Sequence, residues 1–253
     1  MPVGYYTSVY GLGDSPDDVI FNGDRGVYCE ESDYNFEAGA LGTFWRSAEN
    51  FRNEAMNAPS GIGPGMLWAV SQAAPLRRVH TTGDLILFQY VCCVEAAGYA
   101  SGGYLANSVV EGAVQSGSQQ QWFTRNTQVG GGWPQGVWNM VFVGVDNPPA
   151  EHCGNDGGAV PSTVVAETPT VAEKPFITFG DDGLFYLNVP EVKTASSGAD
   201  WFSGDAGDKK ARSLPRPSSP DPFDPDVYRF CLAAAPPPSP TDFLLPPTPT
   251  GGI

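Results

Sequence analysis

The run Phe44-Trp45-Arg46-Ser47-Ala48-Glu49-Asn50 shows the pattern that decides the fold, because four later segments repeat it. Each segment opens on a pair of aromatic or apolar residues and continues as a short strand-like run of small and β-branched residues. The later segments are residues 67–73, 104–110, 122–127 and 137–143. The second residues of the pairs stand at positions 45, 68, 105, 123 and 138, and this spacing fits coils of about 20 residues with loops inserted at one corner.

The sequence between these runs predicts strands joined by turns. Gly102-Gly103, Gly130-Gly131-Gly132 and Asn147-Pro148-Pro149 are turn sequences, and the windows beside them alternate or lack a 3.6-residue period. We therefore expect an all-β chain built as a parallel β-helix, in which polar side chains stack from coil to coil. The candidates for such rows are Ser47, Ser71, Asn107 and Asn126. A β-sandwich is the alternative, but its strands would recur about every 8 to 12 residues, so the longer period favours the β-helix.

Composition limits the classes of partner. The chain has 253 residues, of which 41% are hydrophobic, and a formal charge of −15. Nucleic acids and anionic membranes bind through Lys and Arg, so this acidity argues against both as partners and favours neutral or cationic ligands. No run approaches the roughly 20 apolar residues of a membrane span, and the start, Met1-Pro2-Val3-Gly4, has no features of a secretion signal.

Proline divides the chain into two parts. Residues 213–253 hold 12 of the 24 prolines, and proline lacks the backbone N–H that helices and sheets need. We expect residues 1–192 to form the β-helix lobe and residues 193–253 to be a disordered Pro-rich linker or tail. Gly180-Asp181-Asp182-Gly183 predicts the turn of a β-hairpin that lies outside the helix proper.

Seven segments in order resemble one family. Val3-Gly4-Tyr5-Tyr6-Thr7-Ser8-Val9-Tyr10-Gly11 and the residues up to Val19 resemble the start of a coil in secreted, two-lobed, pectate-lyase-like right-handed β-helix proteins, akin to the glycoside hydrolase family fifty-five glucanases. The other matching segments are residues 44–50, 68–79, 100–106, 116–123, 136–142, and 173–176 with 185–190. The resemblance covers roughly residues 3–192. It implies a right-handed parallel β-helix, a secreted extracellular protein and a polysaccharide partner.

The resemblance also implies a missing piece. Relatives of this kind begin with a signal peptide and continue past a Ser-Leu-Pro linker into a second β-helix lobe. In this sequence the linker-like Ala211-Arg212-Ser213-Leu214-Pro215 runs into the Pro-rich stretch instead. We therefore expect a single lobe, truncated at both ends, whose partner is a second β-helix lobe absent from this chain.

Three carboxylates are candidates for catalysis, because glycoside hydrolysis needs one acid to protonate the leaving oxygen and a second carboxylate to activate water or to attack. Glu49 and Glu111 lie in predicted strands, where either can point into a groove on an outer sheet. Asp17 is the third candidate, although its place after Ser15-Pro16 is also typical of a turn or a helix cap. The alternative for the two glutamates is a solvated face or an ion pair with a nearby arginine.

Aromatic side chains predict a glycan-binding surface, because sugars stack their C–H faces on large, rigid rings. The candidate binding residues, which lie on neighbouring coils and a Gly-rich loop, are Trp122, Trp133, Trp138, Gln120 and Arg125. The amides of residues 119–121 suit hydroxyl recognition and a stacked amide ladder equally well. Trp45 and Trp68 are predicted to pack in the core.

No cofactor and no metal site is indicated, since the sequence has no loop with the ligand spacing of a calcium site. Two functions are compatible with these features. One is an extracellular polysaccharide-active protein that hydrolyses β-glucan-type glycans by carboxylate acid/base chemistry. The alternative is a non-catalytic glycan-binding or structural β-helix domain. Two carboxylates facing one groove would favour hydrolysis, whereas carboxylates scattered or held in ion pairs would favour binding.

Overall fold

The computed structural model describes residues 1–29, 42–57, 64–91, 96–134, 139–154 and 161–201. Trp138 and residues 202–253 of the predicted tail lie outside these residues. Within them the chain is all-β apart from the 3₁₀ turn Pro16–Asp18, as the sequence predicts. No helix in the described part of the chain has the length and apolar character needed to cross a bilayer.

The strands are short, and most contain two to five residues. They are β1 (Pro2–Val3), β2 (Ser8–Tyr10), β3 (Ile20–Phe21), β4 (Tyr28–Cys29), β5 (Ser47–Asn53), β6 (Gly65–Leu67), β7 (Leu76–Thr81), β8 (Asp84–Ile86), β9 (Tyr90–Val91), β10 (Ala96–Ala97), β11 (Gly103–Ala106), β12 (Val109–Val110), β13 (Val114–Gln115), β14 (Gln121–Arg125), β15 (Gln128–Val129), β16 (Asn139–Val143), β17 (Ser162–Val165), β18 (Thr168–Val171), β19 (Phe176–Phe179), β20 (Phe185–Asn188) and β21 (Lys193–Ser196).

Three sheets form the walls of a parallel β-helix. Every strand within these three sheets pairs in parallel with a strand one coil away. The first sheet contains β2, β11, β14, β16, β17 and the first halves of β5 and β7. The second contains β3, β12, β15 and the second halves of β5 and β7. The third contains β6, β8 and β13. The parallel pairing rules out the β-sandwich, whose strands are antiparallel.

The coils differ in length because loops are inserted between the sheets. One residue of each coil pairs with the equivalent residue of the next coil in the first sheet: Ala48, Leu76, Leu105, Thr124, Phe142 and Val164. The sequence distances between these residues give coils of 28, 29, 19, 18 and 22 residues. The predicted repeat of about 20 residues with insertions therefore describes the chain. One insertion separates β2 from β3 and contains the 3₁₀ turn, so Asp17 projects from a corner of its coil.

Several strands of the first sheet begin or end at a corner where the backbone adopts a positive φ. The leading corner lies three residues before the paired core position and consists of Tyr6 (φ 53°), Trp45 (53°), Ala73 (58°) and Gly102 (96°). The trailing corner lies two residues after that position and consists of Asn50 (60°), Arg78 (49°), Asn107 (49°), Asn126 (47°) and Gly144 (61°). Asparagine and glycine tolerate this conformation, but bulky residues are strained there by about 1–3 kcal/mol.

Apolar side chains that point inward from the three sheets form one continuous core. Phe51, Val79 and Leu105 are completely or almost completely buried, and each contributes roughly 1.5–3 kcal/mol of burial free energy. Trp68 also lies in this core, as the sequence predicts, and its indole Nε1 donates a hydrogen bond to the carbonyl of Ala74 at 2.9 Å. Polar rows accompany the core: Ser47 donates to Ser8 at 2.8 Å and Ser101 donates to Ser71 at 3.0 Å.

The chain leaves the coils after β17 and folds back along the trailing corner. Residues 168–201, called the strap below, contain two antiparallel pairs: β18 with β21, and β19 with β20. The backbone N–H of Gly198 donates to Gly144 at 2.9 Å, and that of Phe179 donates to Leu12 at 2.8 Å. The boundary predicted at residue 192 is not a break in the structure, because Lys193–Ser196 pairs with Thr168–Val171 and the strap continues to Trp201.

Candidate functional site

The asparagines of the trailing corner hold the strap in place. Asn107 donates through Nδ2 to Oδ1 of Asp200 at 2.8 Å and accepts the backbone N–H of Asp200 at 3.0 Å. Its carbonyl also accepts the indole N–H of Trp201 at 2.6 Å. One coil further on, Asn126 donates to the hydroxyl of Ser196 at 3.1 Å. The left-handed backbone turns these amides outward, so a feature that shapes the coil also binds the strap.

Arg78 is the exception in the trailing corner, because it places a cation where the neighbouring coils have asparagine. Its Nε donates to Oδ1 of Asn50 and its Nη2 donates to the carbonyl of Asp14, both at 3.1 Å. The guanidinium lies 3.9 Å from the centroid of the Phe176 ring and 3.8 Å from Asp200. Burial lowers the pKa of Arg78, and the negative charges of Asp200 and Glu173 oppose that effect. The side chain therefore joins two coils to the strap.

A small cleft lies between the strap and the outer face of the first sheet. Its floor contains the carboxylate of Glu49, whose side chain is 7% exposed, and Lys174 donates from Nζ to Glu49 Oε1 at 2.6 Å. Lys174 also lies 5.1 Å from the ring centroid of Tyr10. The cleft is lined by Tyr10, Gly11, Glu49, Asn50, Arg77, Arg78, Asn107, Glu173, Lys174, Phe176 and Ile177. Glu49 is thus held in an ion pair.

Arg125, a predicted binding residue, makes a bidentate ion pair with Glu173 of the strap. Its Nη1 and Nη2 donate to the two carboxylate oxygens of Glu173 at 2.6 and 2.7 Å, and its Nε donates to the hydroxyl of Tyr104 at 3.3 Å. Burial lowers the pKa of Arg125, but the hydrogen bonds and charge of Glu173, with the Tyr104 hydroxyl, outweigh burial and raise it above its usual value. The guanidinium is committed to structure in this arrangement.

Asp17 and Glu111 lie on opposite sides of one buried histidine. His80 Nδ1 lies 2.6 Å from Asp17 Oδ1, and Nε2 lies 2.9 Å from Glu111 Oε1. Arg52 Nη1 adds a contact of 3.5 Å to the same Asp17 oxygen. Ser15 and Asp18 form a capping box on the 3₁₀ turn, which leaves Asp17 directed toward β7. The cluster therefore joins the inserted turn, β7 and the residue after β12.

This cluster cannot hold a glycosidic bond between its carboxylates, because the ring of His80 lies between them. The imidazole itself fills the gap in which a substrate would lie. The carboxyl groups are therefore coupled through His80 instead of facing one another across a groove.

Among the described residues, the predicted aromatic binding residues Trp122 and Trp133 do not form one surface. Trp122 lies in the core with 2% of its surface exposed, so its ring cannot stack on a sugar. Trp133 packs against that core, with its ring edge-on to Phe142 at a centroid distance of 4.8 Å. Gln120 is half-buried, and the neighbouring Gln119 is the structural amide, donating to the carbonyls of Val70 and Leu87 at 3.0 and 2.7 Å. Trp138 lies outside the described residues.

Trp45 departs from its predicted place in the core. It lies at the leading corner with 44% of its surface exposed, because it precedes β5 and falls on the turn, whereas Leu105 and Trp122 lie inside their strands and are buried. Sequence reasoning also missed Lys174, Asp200 and Trp201, which meet the coils only through the strap. The signal in the sequence that could have indicated an exposed Trp45 is its position ahead of the strand-like run.

Among the described residues, no group of His, Cys, Asp and Glu side chains is arranged to hold a metal ion.

No family model matches the chain. Its sequence is 44% identical over 203 residues to an exo-β-1,3-glucanase of Streptomyces sp. (strain SirexAA-E / ActE), a match that covers 80% of this chain and 30% of the relative. The structure of sacteLam55A from Streptomyces sp. SirexAA-E matches with a TM-score of 0.67 and 41% identity, covering 80% of this chain and 33% of that chain. A variant of sacteLam55A in complex with glucose matches with a TM-score of 0.66 and 40% identity over 81% and 34% of the two chains. The chain spans about a third of the length of these proteins.

Proposed function

Because this chain is a homologue of a β-helix exo-β-1,3-glucanase, as its resemblance to the family fifty-five glucanases implies, we propose that it is the glucan-recognising lobe of a β-1,3-glucan-active protein. The observation that carries this proposal is the 44% identity, which extends over 80% of the chain. A neutral polysaccharide also suits a chain with a formal charge of −15, which repels anionic ligands. The similarity to a glucanase supports an extracellular location, because a polymeric glucan outside the cell does not cross a membrane unaided.

The geometry of the carboxylates supports recognition more strongly than hydrolysis by this lobe alone. Glu49 is neutralised by Lys174, and Asp17 and Glu111 share the imidazole of His80. Hydrolysis requires an acid and a second carboxylate on either side of one glycosidic bond, with space for the sugar between them. We therefore place the hydrolytic pair outside the described residues and assign this lobe a share in holding the glucan.

The cleft beside the strap is the proposed contact for the glucan. Tyr10 exposes half of its surface at the rim, and sugar rings stack on such a face. Arg77 and Lys174 supply donors for sugar hydroxyls from the two walls, and Glu49 supplies acceptor lone pairs from the floor. A few convergent polar groups beside an aromatic ring are typical of a small-ligand site.

Calorimetry with soluble β-1,3-glucan tests the proposal, with a β-1,4-linked glucan as the ligand control. We expect measurable binding of the β-1,3-linked polymer and weaker binding of the β-1,4-linked one. Tyr10→Ala should weaken the affinity by about tenfold, as truncation of a contacting aromatic residue commonly does. A native chain that is folded by circular dichroism and yet binds no β-1,3-glucan would refute the proposal.

Hydrolysis by this chain itself is the second candidate, and one observation favours it. Glu111 keeps 49% of its side chain exposed while His80 fixes its orientation, so its second oxygen can reach a ligand. An assay for glucose released from β-1,3-glucan decides between the candidates. Release that Glu111→Gln abolishes would establish hydrolysis by this lobe. An inactive native chain that still binds glucan would support recognition alone.

A further inference from the structure

Three aromatic rings form an exposed row at the leading corner of the first two coils. Tyr6 is 85% exposed, Tyr5 is 54% exposed and Trp45 is 44% exposed. The ring centroids of Tyr5 and Tyr6 are 6.4 Å apart, and those of Tyr6 and Trp45 are 6.1 Å apart. We call these three residues the aromatic shelf. They contribute little to the core, since so much of their surface stays in solvent.

The backbone under the shelf shows that the fold does not need large side chains there. Tyr6 and Trp45 both have a φ of 53°, a conformation that is unfavourable for bulky residues. The next two coils place Ala73 and Gly102 at the same corner. Two strained, solvent-exposed aromatic residues therefore stand where alanine and glycine suffice. Such strain accompanies functional positions more often than packing positions.

The surroundings of the shelf hold two of its rings in place. Arg46 is buried, donates from Nη1 to the carbonyl of Val3 at 2.6 Å, and lies 5.0 Å from the ring centroid of Tyr5. The hydroxyl of Tyr5 donates to the carbonyl of Gly42. Phe44 packs edge-on to Trp45 at a centroid distance of 6.2 Å. Rings fixed before binding lose little conformational entropy when a ligand arrives.

We propose that the aromatic shelf is a glucan subsite on which consecutive sugar rings of a β-1,3-glucan stack, and this inference rests on the proposed function. The ligand is a neutral glycan because the shelf offers flat, partly polar rings, and the neighbouring cation Arg46 is buried. The hydroxyls of Ser8 and Ser47, which lie in the strands that follow the shelf, add hydrogen-bonding groups beside the rings. The shelf lies on a different corner from the cleft beside the strap.

Glycine substitution tests the shelf without disturbing the corner, because glycine adopts the positive φ freely. We expect Tyr6→Gly and Trp45→Gly each to weaken binding of soluble β-1,3-glucan by about tenfold or more, with an unchanged or raised melting temperature. The matched control is Phe185→Ala, which removes an aromatic ring that is 68% exposed on the strap and should bind as the native chain does. If a glycine variant fails to fold, Tyr6→Asn and Trp45→Asn replace it, since asparagine also tolerates this conformation.

The outcomes separate the shelf from the proposed function. Loss of affinity in the shelf variants but not in Phe185→Ala supports the subsite. A native chain that binds β-1,3-glucan, with shelf variants that bind equally well, overturns the subsite and leaves the proposed function in place. A folded native chain that binds no β-glucan overturns both. Shelf variants that keep their glucan affinity but lose self-association or binding to another protein assign the shelf to a protein interface and overturn the subsite.

Discussion

Lys174 donates a hydrogen bond to Glu49 at 2.6 Å, although 125 positions separate the two residues in the chain. Glu49 belongs to β5 in the first sheet, and Lys174 belongs to the strap. The carboxylate is nearly buried and the ammonium group is partly exposed, so the pair fastens the strap to the sheet and neutralises a charge at the floor of the cleft. The same contact removes Glu49 from the set of free carboxylates that hydrolysis would need.

Removal of the ammonium group should cost stability because it leaves the buried carboxylate of Glu49 without a partner. Breaking a fully buried pair costs about 3–5 kcal/mol, and the exposure of Lys174 lowers the expected loss for Lys174→Met to about 1–2 kcal/mol. Urea unfolding measures this loss. The double variant Glu49→Gln with Lys174→Met should lose about 1 kcal/mol less than the two single losses added together. Strict additivity would show that the pair contributes nothing.

His80 should be the most sensitive member of its cluster. His80→Ala leaves Asp17 and Glu111 without their shared partner and opens space beside Trp201, so we expect a loss of about 2–3 kcal/mol in the free energy of unfolding. Thermal unfolding of the purified chain provides the measurement. The control is Asp182→Asn, which weakens an exposed contact with the hydroxyl of Tyr186 on the strap and should cost about 1 kcal/mol or less. Equal losses in the two variants would mean that the His80 cluster contributes no more to the free energy of unfolding than an exposed surface contact does.

Asn107 should hold the strap through the hydrogen bonds of its side chain, and this contribution can be separated from that of its positive φ. Asn107→Gly keeps the positive φ but removes the hydrogen bonds to Asp200, whereas Asn107→Ala removes the bonds and adds backbone strain of about 1–2 kcal/mol. We expect faster hydrogen exchange in residues 193–201 for both variants. The alanine variant should also be globally less stable than the glycine variant. Unchanged exchange in the glycine variant would show that the backbone contacts of the strap are sufficient.

Much of the coil could be predicted from the sequence, because its repeat depends on local patterns. The pairs at 105 and 123 lie in successive coils, because Tyr104 pairs with Phe123, and Asn107 and Asn126 stand one coil apart at the trailing corner. The pairs at 45 and 68 belong to one coil instead, ahead of β5 and at the end of β6. The exposure of Trp45 could not be read in the same way, since strand periodicity does not report where the backbone turns into the left-handed region. The pattern predicts that Trp45 begins a coil, but it also predicts a buried side chain where the structure has an exposed one.

The candidate site was less predictable because its partners are distant in sequence. Asp17 meets His80 across 63 positions, and Glu49 meets Lys174 across 125. A carboxylate in a strand has the same local signal whether it faces solvent, a substrate or a lysine from the strap. The local sequence therefore identifies candidate acidic residues but not the partners that they contact. Trp122 was misplaced for a related reason: alternation in β14 assigns it to either face, and the register with Met140 places it inside.

Tyr6→Gly should be an unusual glycine substitution, because it should not destabilise the chain. Relief of the positive φ gains about 1–2 kcal/mol, and the greater freedom of glycine in the unfolded chain costs about 0.4–1 kcal/mol. The ring is 85% exposed, so little burial is lost. We therefore expect the free energy of unfolding in urea to stay constant or to rise by up to about 1 kcal/mol.

The matched control for this effect is Tyr104→Gly in β11. Tyr104 has an ordinary extended backbone, its ring stacks on Phe123 at a centroid distance of 5.4 Å, and Arg77 covers its other face at 4.4 Å. Here glycine brings the strand penalty of about 0.5–1 kcal/mol and loses the packing of a half-buried ring, so we expect a total loss of about 2 kcal/mol. Equal destabilisation of the two variants would mean that Tyr6 is held by packing, and the shelf would then be a structural element of the corner.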